Sequence, residues 1–457
     1  MSSDPTEVSG TPEGNDQAPS PAASPSDAPA GGTLPGAHAT GVRVASGASL
    51  SPLTQTAIEQ ACAQAQEGLA GRTANLVLAF FSTPHVDHAG VIAMEIASTF
   101  PDASVVGVSA QGVIEADREH EKGPGVSVLA MSLPGVRVHT FTSERMPVFD
   151  GSEDSRAKLV EAIDASDAQR LTLLFADPAS VPLVKLLPAF NVAKGRGALV
   201  VGGIASAGSN EPGKNALIAD RRVMRSGMVG VTLSEVVPGS LSVSAVVSQG
   251  CRPFGPAMII TKAQRNIIME LGGRPALEAV QDAVETLPDE DKELLKQGLL
   301  IGRVIDEYKP HFGRGDYLIR NVIAGDSQRK TLAVNDLVGV GQTVRLHVRD
   351  AKTADQDLSL LLDAQKLYDR PAGAILITCN GRGKKLFGQP HHDAAAICRA
   401  FAPARSGPQA AKAGLAIAPN ERPTLALAGF FANGEIGPIG AGQSFLHGQT
   451  ACIVLLR

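Results

Sequence analysis

A glycine-framed pattern recurs along this chain, each time after an apolar, strand-like run. It reads Gly107-Val-Ser-Ala-Gln-Gly112-Val-Ile early on and Gly429-Phe-Phe-Ala-Asn-Gly434-Glu-Ile near the C-terminus, with Gly203-Ile-Ala-Ser-Ala-Gly208 as a looser third copy. Upstream of each, an apolar run ends in small or polar residues: Phe81-Ser82-Thr83, Phe175-Ala176-Asp177 and Thr378-Cys379-Asn380. Glycine in such a place frees the backbone to take positive φ or to approach another group closely. Two readings stand: tight turns in a chain with 48 glycines, or a duplicated fold whose strand ends converge on one cleft.

From Asn75 onward short apolar runs alternate with helical patterns, which gives the fold class as α/β, with α+β mixed sheets. Strands are expected at 76–81, 104–108, 125–131, 171–175, 198–201, 223–232, 241–248 and 257–261. Later ones fall at 299–305, 317–322, 343–348, 374–378, 424–428 and 451–456, with a helix over 351–367. Ser51-Pro52 reads as an N-cap and first helical residue, and Ile58, Ala61, Cys62, Ala65 and Leu69 follow at helical spacing. A polar, helix-rich stretch from Pro275 to Gln297 marks a second unit with a boundary near Gly272-Gly273. The expected division is a Pro/Ala/Ser-rich acidic tail over 1–40, disordered for want of anything to bury, an N-terminal domain over 41–270 and a C-terminal domain over 271–457.

All five acids among the first 42 residues precede the first basic one, Arg43, so the net charge of −5 belongs to the tail and the body is neutral. A neutral body offers no footprint for nucleic acid or an anionic membrane. Aromatic side chains for base stacking are scarce too, at 14 Phe, 3 Tyr and no Trp. Cys62, Cys251, Cys379, Cys398 and Cys452 are scattered and form no C-x2-C pair, so reduced thiols in a cytoplasm fit best. Neither a signal peptide nor a membrane span is read.

Motifs of familiar chemistry fail on detail. Gly208-Ser-Asn-Glu-Pro-Gly213-Lys214-Asn215 nearly spells a phosphate-binding loop, but Asn215 replaces the metal-binding hydroxyl and a strand-like segment follows. No nucleophile elbow is present. His85-x-x-His88 and His391-His392-Asp393 resemble metal ligands, yet each sits where a helix begins. More informative are three segments: Ser248 to Thr261 (SQGCRPFGPAMIIT), Ile377 to Gly388 (ITCNGRGKKLFG) and Gly429 to Gly440 (GFFANGEIGPIG), the last followed by FLHGQT. A guanidinium beside glycine-exposed amides suits a carboxylate, and Glu435 suits an amine. Alternatively, Arg382 and Glu435 pair with each other.

Those segments, with SVVGVSAQGVIE, VRLHVRDA and HHDAAAI, resemble the FIST family, the sensory domain named for F-box and intracellular signal transduction proteins, over about residues 75–457. The resemblance implies a stand-alone, two-part small-molecule sensor, not an enzyme, with an amino acid or similar metabolite as ligand. A protein partner would supply the output, because the tail is too short and polar for an F-box. Asn380, Arg382, Glu435 and His447 lie in the family's most recognisable stretches, with Ser109, Gln111 and Cys251 in the N-terminal ones. These seven are the candidate ligand-binding residues: Arg382 for a carboxylate, Glu435 for its amine. No cofactor or metal is expected. The alternatives are a haem-based gas sensor using His447, His391 or His392, a cysteine enzyme using Cys379 or Cys251, and a ligand-free scaffold.

Overall fold

Runs such as Leu76–Ser82 show no polar alternation, and in the computed structural model every side chain of that run is buried, as for a strand covered on both faces. The structure describes residues 41–208, 210–402, 425–440 and 442–457. The expected tail over 1–40 lies outside them.

Three times the chain runs strand, helix, strand, helix, strand, hairpin, strand. The first pass comprises β1 (Arg43–Ser49), α1 (Thr54–Gly68), β2 (Leu76–Ser82), α2 (Ala89–Thr99), β3 (Ser104–Ala110), the hairpin β4 (Val113–Glu115) and β5 (Arg118–His120), and β6 (Val126–Ser132). The second is β7 (Val136–Thr142), α3 (Glu153–Ala162), β8 (Gln169–Ala176), α4 (Leu183–Ala193), β9 (Leu199–Ile204), the hairpin β10 (Leu217–Ala219) and β11 (Arg222–Met224), and β12 (Met228–Glu235).

The third begins with β13 (Val243–Gln249) and is then interrupted by β14 (Cys251–Gln264), β15 (Ile267–Leu271), β16 (Arg274–Pro275), α5 (Ala276–Glu285), α6 (Asp289–Leu294), β17 (Leu300–Val304), β18 (Tyr317–Asp326), β19 (Thr331–Val334) and β20 (Thr343–Arg349). It resumes with α7 (Ala351–Gln365), β21 (Gly373–Cys379), α8 (Lys384–Phe387), α9 (His392–Ala400), β22 (Ala426–Ala432), the hairpin β23 (Glu435–Ile439) and β24 (Gln443–His447), and β25 (Thr450–Leu456).

Each pass builds the same four-stranded core, in the order first, fourth, second, third, with the second and third strands parallel. The hairpins are exchanged in a ring. β4–β5 completes the third sheet, β10–β11 the first and β23–β24 the second. This exchange explains the recurring motif. Ile114 stands opposite Gly429, Ile436 opposite Gly202 and Ile218 opposite Gly107, so each glycine receives an isoleucine from another pass. A Cβ on Gly202 or Gly429 would lie 1.8 Å from the carbonyl oxygen of Leu174 or Leu376. Hence only glycine fits there. The third copy therefore starts at Gly202, one residue before the expected Gly203, and the duplicated-fold reading is the one the register supports. Phe80, Phe175 and Phe430 meet among the sheets, with ring centroids 5.3–6.1 Å apart.

The segment between β13 and α7 forms a seven-stranded antiparallel sheet, ordered β14-β20-β17-β18-β19-β15-β16, which a β14–β15 pairing closes on itself. Ala276, Ala279, Val280 and Ala283 of α5 fill its core. The polar stretch expected to open a second unit is thus inside an insertion. Gly272-Gly273 is the turn between β15 and β16. Two local expectations are corrected. Helix α1 is preceded by Leu53, not capped by Ser51, whose hydroxyl accepts the Leu53 N–H instead. The expected strand 223–232 is two strands, parted by a turn at Gly227 with φ +87°.

Candidate functional site

Parallel strands leave their C-terminal ends open to a ligand, and the main cleft, about 470 Å³, lies at the ends of β21 and β22. Residues 379–381 and 432–434 form its base, Gln111 reaches it from beyond β3, and Arg320, Asn321 and Arg349 line it from the inserted sheet. Its walls are rich in carboxamides: Gln111, Asn321, Asn335, Asn380, Asn433 and Gln449. Such a surface suits a small polar molecule recognised by hydrogen bonds.

Arg349, the last residue of β20, lines the cleft together with two other cations, Arg320 and Lys385. It is 8% exposed, and its Nε and Nη1 are buried without a hydrogen-bond acceptor among the described residues. The neighbouring Asp350 is occupied with Arg252 and with the N-terminus of α7. Gly381 makes room here: a Cβ would come 2.6 Å from Gln449 Oε1 and 3.3 Å from Arg349 Nη1. Neighbouring Asn380 also has its Oδ1 buried without a partner. Unpaired buried charge and amide are costly, and both invite a ligand.

Arg382 lies behind the wall, not on it. Its Nε and Nη2 donate to Asp393 Oδ2 and Oδ1 at 2.7 and 2.9 Å, a two-pronged pair with both side chains essentially out of solvent. Thr378 Oγ1 also donates to Asp393 at 3.2 Å, and His392 Nδ1 lies 3.1 Å from its other oxygen. Burial alone would raise the Asp393 carboxyl, but the Arg382 guanidinium holds it below the usual carboxylate range. The ring of Phe387 stacks on His392 at 3.5 Å and lies under the Arg382 guanidinium. The exchanged hairpin seals this cluster: Glu119 Oε1 accepts the Ala394 N–H, and Glu121 Oε1 the Lys384 N–H. The Glu119 carboxyl is pushed up to about 7 by burial and by Asp393. No ion pair joins Arg382 to Glu435 among the described residues.

Glu435 is fully buried, with Oε2 accepting the Thr450 N–H and hydroxyl at 3.2 and 2.7 Å and Oε1 unpartnered. Burial pushes its carboxyl up from 4.5 to about 8, so it is mostly neutral near pH 7 and unsuited to holding an amine. Between those values the native state binds more protons than the unfolded chain, so this group makes stability fall as pH rises. Glu435→Gln is therefore expected to gain stability relative to the parent as pH is raised from about 5 to about 8 in parallel thermal melts. A constant difference between the two would contradict that environment.

Of the remaining candidates, His447 lines the cleft. Its Nε2 lies 3.0 Å from the Gly437 carbonyl, which can only accept, so the neutral ring keeps Nδ1 as an acceptor. Burial lowers its pKa to about 4. Ser109 is buried, accepting the Ala216 N–H, and Cys251 is buried opposite Arg349 in the sheet. Asn380, Gln111 and His447 are thus brought together on the wall; Arg382, Glu435, Ser109 and Cys251 stand off it. Burial pushes the thiols of Cys62, Cys251, Cys379 and Cys398 up to about 12. Slow reaction with a thiol reagent at neutral pH is expected, with all five cysteines labelled only after denaturation. Rapid labelling of Cys379 in the folded protein would restore a cysteine-dependent reaction.

The rejected motifs have structural roles. Asn215 Oδ1 accepts the Gly208 N–H at 3.0 Å, closing the near-phosphate loop on itself. His85 Nδ1 bonds Thr54 Oγ1 at 2.9 Å, and His391 Nδ1 accepts the Glu119 N–H. Among the described residues, no group of three or more His, Cys, Asp or Glu side chains could hold a metal. No helix there is long and apolar enough to cross a membrane. Among the wall residues that sequence reasoning passed over is Arg349, although it lies within the VRLHVRD run.

A model of the FIST N domain matches residues 75–274, and one of the FIST C domain matches residues 276–438. The uncharacterized protein Rv0628c of Mycobacterium tuberculosis is 37% identical over 416 residues, covering 91% of this chain and 99% of its own. The uncharacterized protein Mb0898c of Mycobacterium bovis is 36% identical over 416 residues, covering 91% of this chain and 98% of its own. The crystal structure of a cyanuric acid hydrolase from A. caulinodans aligns with 91% of this chain and 99% of that one, at 11% identity and a TM-score of 0.31. A likeness that low carries no argument.

Proposed function

This chain belongs to the FIST family, and from that premise we propose that it is a sensory protein whose cleft at the ends of β21 and β22 binds a small organic carboxylate, an amino acid or close relative. The observation that carries the reading is Arg349: a guanidinium on the wall of a polar cleft, with two buried N–H groups and no acceptor. A carboxylate supplies the missing charge and acceptors together. The surrounding carboxamides and His447 Nδ1 meet the ligand's remaining polar groups. Glu435, neutral and buried, takes no part in the contact, and the carboxylate role expected of Arg382 passes to Arg349. Binding without turnover accords with thiols held protonated beside the cleft.

Calorimetric titration with amino acids and with the amines that lack their carboxylate tests this directly. Heat of binding is expected only where the carboxylate is present, with affinity falling as salt is raised. Amines that bind as tightly as their parent amino acids would refute it.

A further inference from the structure

Beside the main cleft lies a second cavity of about 310 Å³, which shares Val184, Arg320 and Leu446 with it. Its walls are of another kind. Leu187, Pro188 and Val192 of α4 face Leu318 and Phe445, so the space suits an apolar segment. Arg303 also lines it, on an unusual footing. Asp336 is held by Arg320 Nε at 2.7 Å, while the same carboxylate oxygen is 3.9 Å from Arg303 Nη2. Arg303 Nε is buried with no acceptor among the described residues. Glu307, the other carboxylate acting on Arg303, makes no ion pair with it and accepts the Thr343 N–H instead. Two guanidinium groups therefore share one close carboxylate, Arg320 where the cavities meet and Arg303 on the wall of the smaller one, and Arg349 lies unpaired in the larger one.

We propose that the ligand is an elongated dicarboxylate, with one carboxylate against Arg349, the other against Arg303, and an apolar segment along α4 and β24 between them. This rests on the carboxylate reading of the main cleft and extends it to the whole molecule. A compact amino acid satisfies Arg349 alone, leaving the apolar walls uncovered and Arg303 with only its share of Asp336. An elongated one removes both deficits at once, since each charge-assisted contact adds affinity and the segment between them buries apolar surface.

The test is calorimetric titration of the full chain with succinate, adipate, suberate and sebacate against butyrate, hexanoate, octanoate and decanoate. One dicarboxylate is expected to bind about tenfold or more tightly than the monocarboxylate of its length, and Arg303→Met to bring it down to that monocarboxylate's affinity. Val192→Trp, at a half-exposed position of α4, is expected to weaken the longer dicarboxylates most and gives a route independent of Arg303. Dicarboxylates that bind like their monocarboxylate counterparts, or an advantage that survives Arg303→Met, would overturn the proposal. Monocarboxylates that bind through Arg349 with no dicarboxylate advantage would end this inference and leave the carboxylate reading standing. No binding of any carboxylate would end both.

Discussion

Arg382→Met is expected to destabilise the protein by about 3–5 kcal/mol, the cost of leaving one member of a buried ion pair uncompensated. Asp393 is 1% exposed and takes two of its hydrogen bonds from this guanidinium. Thr378 Oγ1 remains as a donor and the His392 ring as a polar neighbour, but neither replaces the two-pronged guanidinium contact. Asp393→Asn should cost a similar amount, because Arg382 then becomes the orphan. A combined Arg382→Met, Asp393→Leu variant should recover much of the loss, since a well-packed apolar pair is often neutral relative to a buried ion pair. The pH dependence has a definite sign. Asp393 titrates lower in the native state than in the unfolded chain, so its contribution is full above the unfolded value of about 3.8 and is lost as pH falls through the native one. Urea melts of the parent and the three variants at neutral pH check the magnitude. An Arg382→Met protein as stable as the parent would show that the pair is not what holds the Cys379–Lys385 segment against α9.

How much of this was legible beforehand depends on what kind of contact each residue makes. The long apolar runs 76–82, 104–110, 373–379 and 450–456 were readable because they are buried on both faces, so burial leaves a continuous apolar trace in the sequence. Strand β7 was missed because Arg137 and His139 interrupt its trace. Two of the exchanged hairpins are built from strands of three residues, such as Val113–Glu115, which are too short to show a period. Their glycines were visible and the duplication was suspected from them, yet the ring of exchange is set by pairings between residues hundreds of positions apart, which no local pattern encodes. Gly202 and Gly203 are adjacent, and only register with Ile436 separates them.

The site divides the same way. Gln111 lies in the recurring motif and Asn380 at the strand end upstream of a copy, while His447 was a candidate through the family resemblance of its stretch. Arg382 and Glu435 looked like ligand contacts because charged residues beside glycines usually face a cleft. Arg382 is instead claimed by Asp393, eleven positions on and presented by α9, and Glu435 lost its charge to burial. Arg349 was passed over because nothing in the run VRLHVRD tells its second arginine from its first, Arg345, which is spent on the Gly255 carbonyl. Only the position of Arg349 beside Gly381 at the cleft sets the two apart.

Arg349→Met is expected to separate binding from stability. Methionine keeps the apolar stem of the side chain and removes a charge that has no partner among the described residues, so the unliganded variant should be no less stable than the parent. Carboxylate affinity should fall by about tenfold to a hundredfold, the worth of a lost charge-assisted contact. Few substitutions combine a large loss of binding with no loss of stability, and that combination is hard to reach through misfolding. The decisive measurement is the amino acid titration repeated on the parent and on Arg349→Met, with thermal melts of both proteins free of ligand. The account requires carboxylate-dependent binding that Arg349→Met removes from a protein that melts as high as the parent. Equal affinity in the two proteins would contradict it.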